Sequence, residues 1–170
     1  EIYNSSEIRH DLTDARLQPK WRGHSDTETL LAAFDVWGIK ETITRVKGMF
    51  AIAVWDKECE ELSLVRDRIG EKPLYYGWQG SGSRRTFLFG SELKALKRHS
   101  SFTNDIDRAS LALYMRYSYV PTPHSIYEGI KKLEPGTILT VSLKQNSYRS
   151  EKYWDTLDVV RKGAKEPFDG

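Results

Sequence analysis

A chain of 170 residues, 39% hydrophobic and 12% aromatic, is the size of one domain with a sizeable core. Its 26 basic and 24 acidic residues leave a net charge of +2 with no long single-sign block, so neither nucleic acid nor a membrane surface is favoured as a partner. No stretch has the length of a membrane span or the pattern of a signal peptide. One cysteine permits no internal disulfide and no multi-cysteine metal site, which points to a reducing cytoplasm, and four scattered histidines give no metal-ligand spacing.

In chain order, Glu1 to Tyr3 reads as the end of a strand, and Ser5 or Ser6 as the cap of a short helix carrying Ile8 and Leu12. Ser25 followed by Glu28 is a capping box. It opens a helix whose Leu30, Leu31, Phe34 and Trp37 recur at helical spacing until Gly38 ends it. From Gly48 the period changes. "GMFAIAVWD", "ELSLVRD", "KPLYYGW" and "TFLFGS" are short aromatic and aliphatic runs between turn residues, predicted to be antiparallel strands. Met49 to Trp55 and Leu62 to Val65 are apolar on both faces, which predicts a sheet covered on both sides and hence a layered α+β sandwich.

Ser91 then begins the helical stretch "SELKALKRH", and Asp105 or Asp107 a longer helix with Leu111, Tyr114 and Met115 as its buried face, stopped by Pro121 and Pro123. A turn at Glu134, Pro135 and Gly136 feeds a strand, and "SEKYWD" is a last extended segment. Residues 1–157 are assigned to the domain and 158–170, which lack a core-forming pattern, to a linker.

Cys59 falls at a predicted hairpin tip among Glu58, Glu60 and Glu61, whose charge disfavours a thiolate, so it is read as inert. Arg66, Asp67, Arg68 and Lys72 form a charge cluster, read as structural, with ion pairs supporting a nearby site as the alternative. Ser91 and Glu92 stand at a strand-to-helix junction, where an N-cap is the plain account.

The order "EIYN", "GHSDTETLLAAF", "GMFAIAVWD", "LVRDRIGEKPLYY", "GSELKAL", "SYVPTPHSIYEGIKKLEPG" and "YW" closely resembles the glutamine amidotransferase domain of glutamine-hydrolysing asparagine synthetases, the N-terminal-nucleophile type. The resemblance covers essentially the whole chain. It implies an αββα sandwich of two antiparallel sheets between helical layers, with the N-terminal strands lying upstream of Glu1. It also implies hydrolysis of glutamine to glutamate and ammonia by an N-terminal cysteine, with an Asn-Gly pair as oxyanion hole. Neither is in this sequence, so this chain alone is expected to be inactive.

By the same resemblance, Glu1 and Asp26 match residues that engage the amino-acid end of L-glutamine. Asp26 in a helix's first turn is suited to an α-ammonium, although a residue that merely complements the helix dipole is the ordinary alternative. Arg66, Ser91 and Glu92 are candidates for supporting the site or the route by which ammonia leaves. Tyr119, Tyr127 and Lys131 resemble the part of the family that lies against a C-terminal synthetase domain, where ATP and Mg are expected; the glutaminase part itself needs no cofactor. Aspartate is the first acceptor to consider, with a sugar carboxylate of surface-polysaccharide synthesis or a non-catalytic docking module as alternatives. A homodimer is left open.

Overall fold

The computed structural model describes residues 1–14 and 20–166. Two antiparallel sheets lie face to face. The first has the order β1-β2-β6-β7, from Ala51–Asp56, Glu61–Arg66, Thr137–Ser142 and Ser147–Lys152. The second has the order β4-β3-β5, from Thr86–Gly90, Tyr75–Gln79 and Ile130–Lys132.

Alternation along the strands assigns each side chain to a layer. Val65 of β2 and Ile138 of β6 point one way and pack with Phe50 against Ile8 and Leu12 of helix α1 (Ser5–Asp14) and Leu30 and Ala33 of helix α2 (Asp26–Arg45). Leu64, Leu139 and Val141 point the other way and meet Leu74 and Tyr76 between the sheets. Burial pushes the Tyr76 phenol up to about 12. On the far face of the second sheet, Leu88 and Ile130 pack with Phe102 and with Leu96 of the short helix α3 (Leu93–Leu96). The layers therefore run helix, sheet, sheet, helix. This is the α+β αββα sandwich that the doubly apolar strands and the resemblance both pointed to.

Several local expectations are corrected. Gly38 does not end α2 but kinks it: at φ 75° it takes a left-handed conformation that a glycine allows, and helical structure resumes through Arg45. The capping box is half formed, since Ser25 accepts the Glu28 N–H while Glu28 reaches back past Ser25 to the N–H groups of Arg22 and Gly23. Those two bonds, the one from Arg22 foremost, hold the Glu28 carboxyl below its ordinary value. Only the start of β1 is covered on both faces; Ala53 is exposed and Trp55 is 45% exposed, because β1 is an edge strand whose far end runs beyond the packed layers.

Asp107, not Asp105, caps helix α4 (Arg108–Tyr117), through the Ala109 N–H. The face expected to be buried there is not: Leu111 is 41%, Tyr114 48% and Met115 77% exposed, and Ser110 is the buried residue of this helix. The apolar spacing shows that α4 is built to be covered, while nothing in the described chain covers it; a groove of about 620 Å3 lies between it and Tyr75 and Leu93. Across the boundary drawn between domain and linker, Thr156–Lys165 forms helix α5, capped by Asp155 and with no buried residue, while 167–170 lie outside the described residues. Its turns satisfy themselves by backbone bonds and a cap, so a helix forms here without a core.

Candidate functional site

The first residues of the chain form a strand-like pairing with the start of the β1 run. Glu1 accepts the Met49 N–H at 3.1 Å and donates to the Met49 carbonyl at 2.9 Å, Ile2 bridges Gly48, and Tyr3 donates to the Lys47 carbonyl at 2.8 Å. Gly48 is required by this approach, because a Cβ there would collide with the Glu1 carbonyl oxygen. Asn4 closes the corner by donating to the Arg45 carbonyl and accepting the Lys47 N–H.

Against this corner stands the N-terminus of α2. Asp26, in its first turn, accepts the Ile2 N–H through Oδ2 at 2.8 Å. The two carboxylates singled out by resemblance are 25 residues apart in the chain, yet this one bond places Asp26 beside the residue that follows Glu1. Glu1 is exposed and Asp26 half-buried. Glu1 opens onto a cavity of about 320 Å3 that Met49, Phe50, Ile52, Lys72 and Ser91 also line. Ser91 lines the same cavity as Glu1, while Glu92 lies off it, ion-paired to Lys94 at 2.7 Å. Neither makes the N-cap expected of the junction: Glu92 precedes α3 without a side-chain bond to it. Asp26 touches this corner through the Ile2 backbone and does not itself line the cavity; two larger spaces, the groove beside α4 and one of about 410 Å3 near Trp78 and Tyr148, contain neither carboxylate.

Arg66 does not reach the cavity. Its guanidinium donates to the carbonyls of Gly70 at 2.6 Å, Lys72 at 2.8 Å and Leu133 at 2.6 Å, and burial pushes its pKa down. The fully buried Asp67 takes the N–H groups of Glu71, Lys72 and Phe50, and Arg68 donates to the carbonyls of Thr44 and Val46. These charges bind backbone rather than one another, so the cluster forms no ion pair among the described residues. It shapes the 66–72 loop and thereby holds Phe50 and Lys72, both cavity residues, from behind. Lys72 as a lining residue was missed by sequence reasoning; the turn "RIGEK" that folds it back was the available signal.

The remaining candidates are apart from this corner. Cys59 is exposed in the β1–β2 turn, and its thiol is raised by the Asp56 carboxylate above all, with Glu61 and Glu58 adding to it. Tyr127 is a packing residue, edge-on to Phe102 at 5.3 Å with its hydroxyl accepting from Lys97. Tyr119 is 61% exposed, and Lys131 reaches only the Tyr148 hydroxyl, at 3.5 Å. Among the described residues no cluster of acidic, His or Cys side chains could hold a metal ion, and no helix is long and apolar enough to cross a membrane.

The model of the glutamine amidotransferase domain family matches residues 1–154. The chain belongs to that family. As an amidotransferase domain it is 36% identical over 170 aligned residues to a glutamine-hydrolysing asparagine synthetase, number 3, of Bacillus subtilis, covering 93% of this chain and 26% of the relative. It is 30% identical to a putative glutamine-hydrolysing asparagine synthetase 2 of Methanocaldococcus jannaschii, covering 93% and 29%. With a putative glutamine-hydrolysing asparagine synthetase of Mycobacterium tuberculosis H37Rv the figures are 33% identity, 85% and 22%. The chain spans about a quarter of the length of these relatives. A solved structure titled as the allosteric regulatory enzyme of purine biosynthesis superposes on it with a TM-score of 0.59 at 18% identity, over 89% of this chain and 26% of that one, which shows a shared fold.

Proposed function

We propose that this amidotransferase domain is the glutamine-binding part of an enzyme that hydrolyses L-glutamine and uses the ammonia in ATP-dependent amidation of a carboxylate, converting aspartate to asparagine. The observation that carries the proposal is the 2.8 Å bond from the Ile2 N–H to Asp26. It ties Asp26 to the backbone next to Glu1, and in this reading an α-ammonium bound between the two carboxylates exchanges its water for charge-assisted hydrogen bonds. Asp26 stands in the first turn of α2, at the positive end of the helix, where a carboxylate is favourably placed.

Hydrolysis then follows the general course of amide cleavage by a thiolate. Sulfur adds to the side-chain carbonyl, the tetrahedral oxyanion is held by N–H donors, protonated nitrogen leaves as ammonia, and water cleaves the thioester to release glutamate. In this proposal the cysteine and the Asn-Gly donors precede Glu1 in the parent protein, and Cys59, with its raised pKa, takes no part. Ser91, on the wall of the same cavity, lies where departing ammonia would pass.

The acceptor chemistry belongs to a synthetase part outside this chain, with ATP and magnesium bound there. The uncovered face of α4, with Leu111, Tyr114 and Met115, and the exposed Tyr119 are the surface offered to it. The names of the relatives support aspartate over a sugar carboxylate, and a cytoplasmic biosynthetic enzyme agrees with the single exposed cysteine. Feeding the full-length parent with amide-labelled glutamine, ATP, magnesium and aspartate tests this: labelled asparagine and one glutamate per turnover are expected. Label transfer to a hexuronate instead would replace the acceptor, and no glutamate release at all would overturn the glutaminase reading in favour of a docking module.

A further inference from the structure

We infer that Arg9 is a positioning residue of the glutamine site, a latch that fixes the entry of α2 and through it the carboxylate of Asp26. The inference rests on the reading of Asp26 given above and names what keeps that carboxylate in place.

Arg9 lies on α1 and is mostly buried, its side chain 19% exposed. Its guanidinium makes four bonds, all into the segment 23–29. Nε donates to the Thr29 hydroxyl at 2.7 Å and one terminal nitrogen to the Gly23 carbonyl at 2.9 Å; the other donates to the Ser25 carbonyl at 3.3 Å and Glu28 Oε2 at 3.4 Å. Its plane lies over the Trp21 ring, 4.2 Å from the centroid. Glu28, which Arg9 itself contacts, grips the same loop, accepting the N–H groups of Arg22 at 2.6 Å and Gly23 at 3.0 Å. Residues 22–25 are thereby held through their carbonyls by Arg9 and through their N–H groups by Glu28, and Asp26 is the next residue.

A surface ion pair would not account for this arrangement. The Arg9–Glu28 contact is the longest of the four, and the two short ones go to neutral groups, the Thr29 hydroxyl and the Gly23 carbonyl. Such a planar fork suits a part that sets geometry, because a guanidinium fixes several donors at once where an ammonium offers a point charge. Glu1 is fixed separately, through Met49 and Gly48. The placement of the Asp26 carboxylate thus depends on two tethers, the Ile2 bond to Asp26 and the Arg9 latch, which together with Glu28 holds the loop that leads into Asp26.

The test is made in the full-length enzyme and reads a ratio that a merely structural residue would not move. Glutaramate is glutamine without its α-amino group, so it cannot use a contact between Asp26 and the ammonium. In Arg9→Lys, which keeps the charge but not the fork, the kcat/KM preference for L-glutamine over glutaramate is expected to fall by about tenfold to a hundredfold, the scale of a misplacement of about 1 Å in a binding group. The fall should come mainly through the KM for glutamine. Asp26→Asn should lower the same ratio, and the double variant should lower it no further than Asp26→Asn alone. If Arg9→Lys lowers both substrates equally while Asp26→Asn collapses the ratio, Arg9 is structural and the inference is overturned. If Asp26→Asn leaves the ratio at its wild-type value, the reading of Asp26 is wrong and the latch has nothing to position. Should Arg9→Lys fail to fold, Glu28→Gln, which loosens the N–H groups of the same loop, must lower the ratio for the inference to stand.

Discussion

Replacing Asp26 by Asn in the full-length parent removes one negative charge and almost nothing else. The Ile2 N–H that now donates to Oδ2 at 2.8 Å finds the Asn carbonyl oxygen in the same place, and the Ser25 cap on Glu28 is untouched. What is lost is a charge-assisted hydrogen bond to the α-ammonium of glutamine, about 2 to 3 kcal/mol, nearer 2 because Asp26 is half-buried. At about 1.4 kcal/mol per tenfold, glutamine-dependent kcat/KM should fall about 30-fold to 150-fold. The folded state loses only the favourable placement of a carboxylate at a helix N-terminus, about 0.3 to 1 kcal/mol, which moves Tm by about 2 to 4 °C at most. Amidation driven by added ammonium bypasses the glutamine site and should continue near the wild-type rate. Steady-state assays with each nitrogen source, beside a thermal melt, separate the outcomes. Loss of both activities together, or a large drop in Tm with glutamine kinetics intact, would show that Asp26 only starts a helix.

Gly48→Ala should destabilise the protein by about 1 to 3 kcal/mol and raise the KM for glutamine, since its methyl group collides with the Glu1 carbonyl and lies 3.0 Å from the Ile2 Cα; melting and glutaminase kinetics check both. Glu28, with a carboxyl held below its ordinary value of 4.5 by the Arg22 and Gly23 N–H groups, contributes stability that is present above that pH and is lost as the pH falls through the lowered folded value. Glu28→Gln should therefore flatten the acid limb of a Tm-against-pH curve, and an unchanged limb would remove Glu28 from the account. Met115→Glu, on the exposed face of α4, should leave the unfolding free energy within about 0.5 kcal/mol of wild type if nothing covers that face. In the full-length parent a larger loss, together with weaker coupling of glutamine hydrolysis to synthesis, would mark α4 as the surface against the synthetase part.

Much of the architecture was legible because its signals are local. Strand period, the Ser25 cap and the turn at Pro135 and Gly136 each act over a few residues, and two-sided apolar strands such as Leu62 to Val65 can be satisfied only between two other layers. The resemblance supplied Glu1 and Asp26, which no periodicity distinguishes from ordinary terminal and helix-start carboxylates. Other assignments needed contacts. An apolar stripe says that a face seeks cover, not that cover exists, and so Leu111, Tyr114 and Met115 were expected inside and are found outside. Gly38 carries the signature of a helix end, yet Ile43 and Val46 beyond it bury themselves against the first sheet, and that packing favours a second helical segment after the kink.

The site itself is where sequence had least to say. Glu1, Asp26, Lys72 and Ser91 sit in four separate stretches of the chain, and it is the Ile2–Asp26 bond, the Asp67-centred loop and the cavity wall that bring them to one corner. Arg9 is one basic residue among 26 in the sequence. Its role becomes visible only when its four donors are traced to a loop that begins 14 residues later. Local chemistry chooses helix, strand and cap within a few residues, whereas a binding site is defined by distances between segments, and those distances are set only when the layers pack.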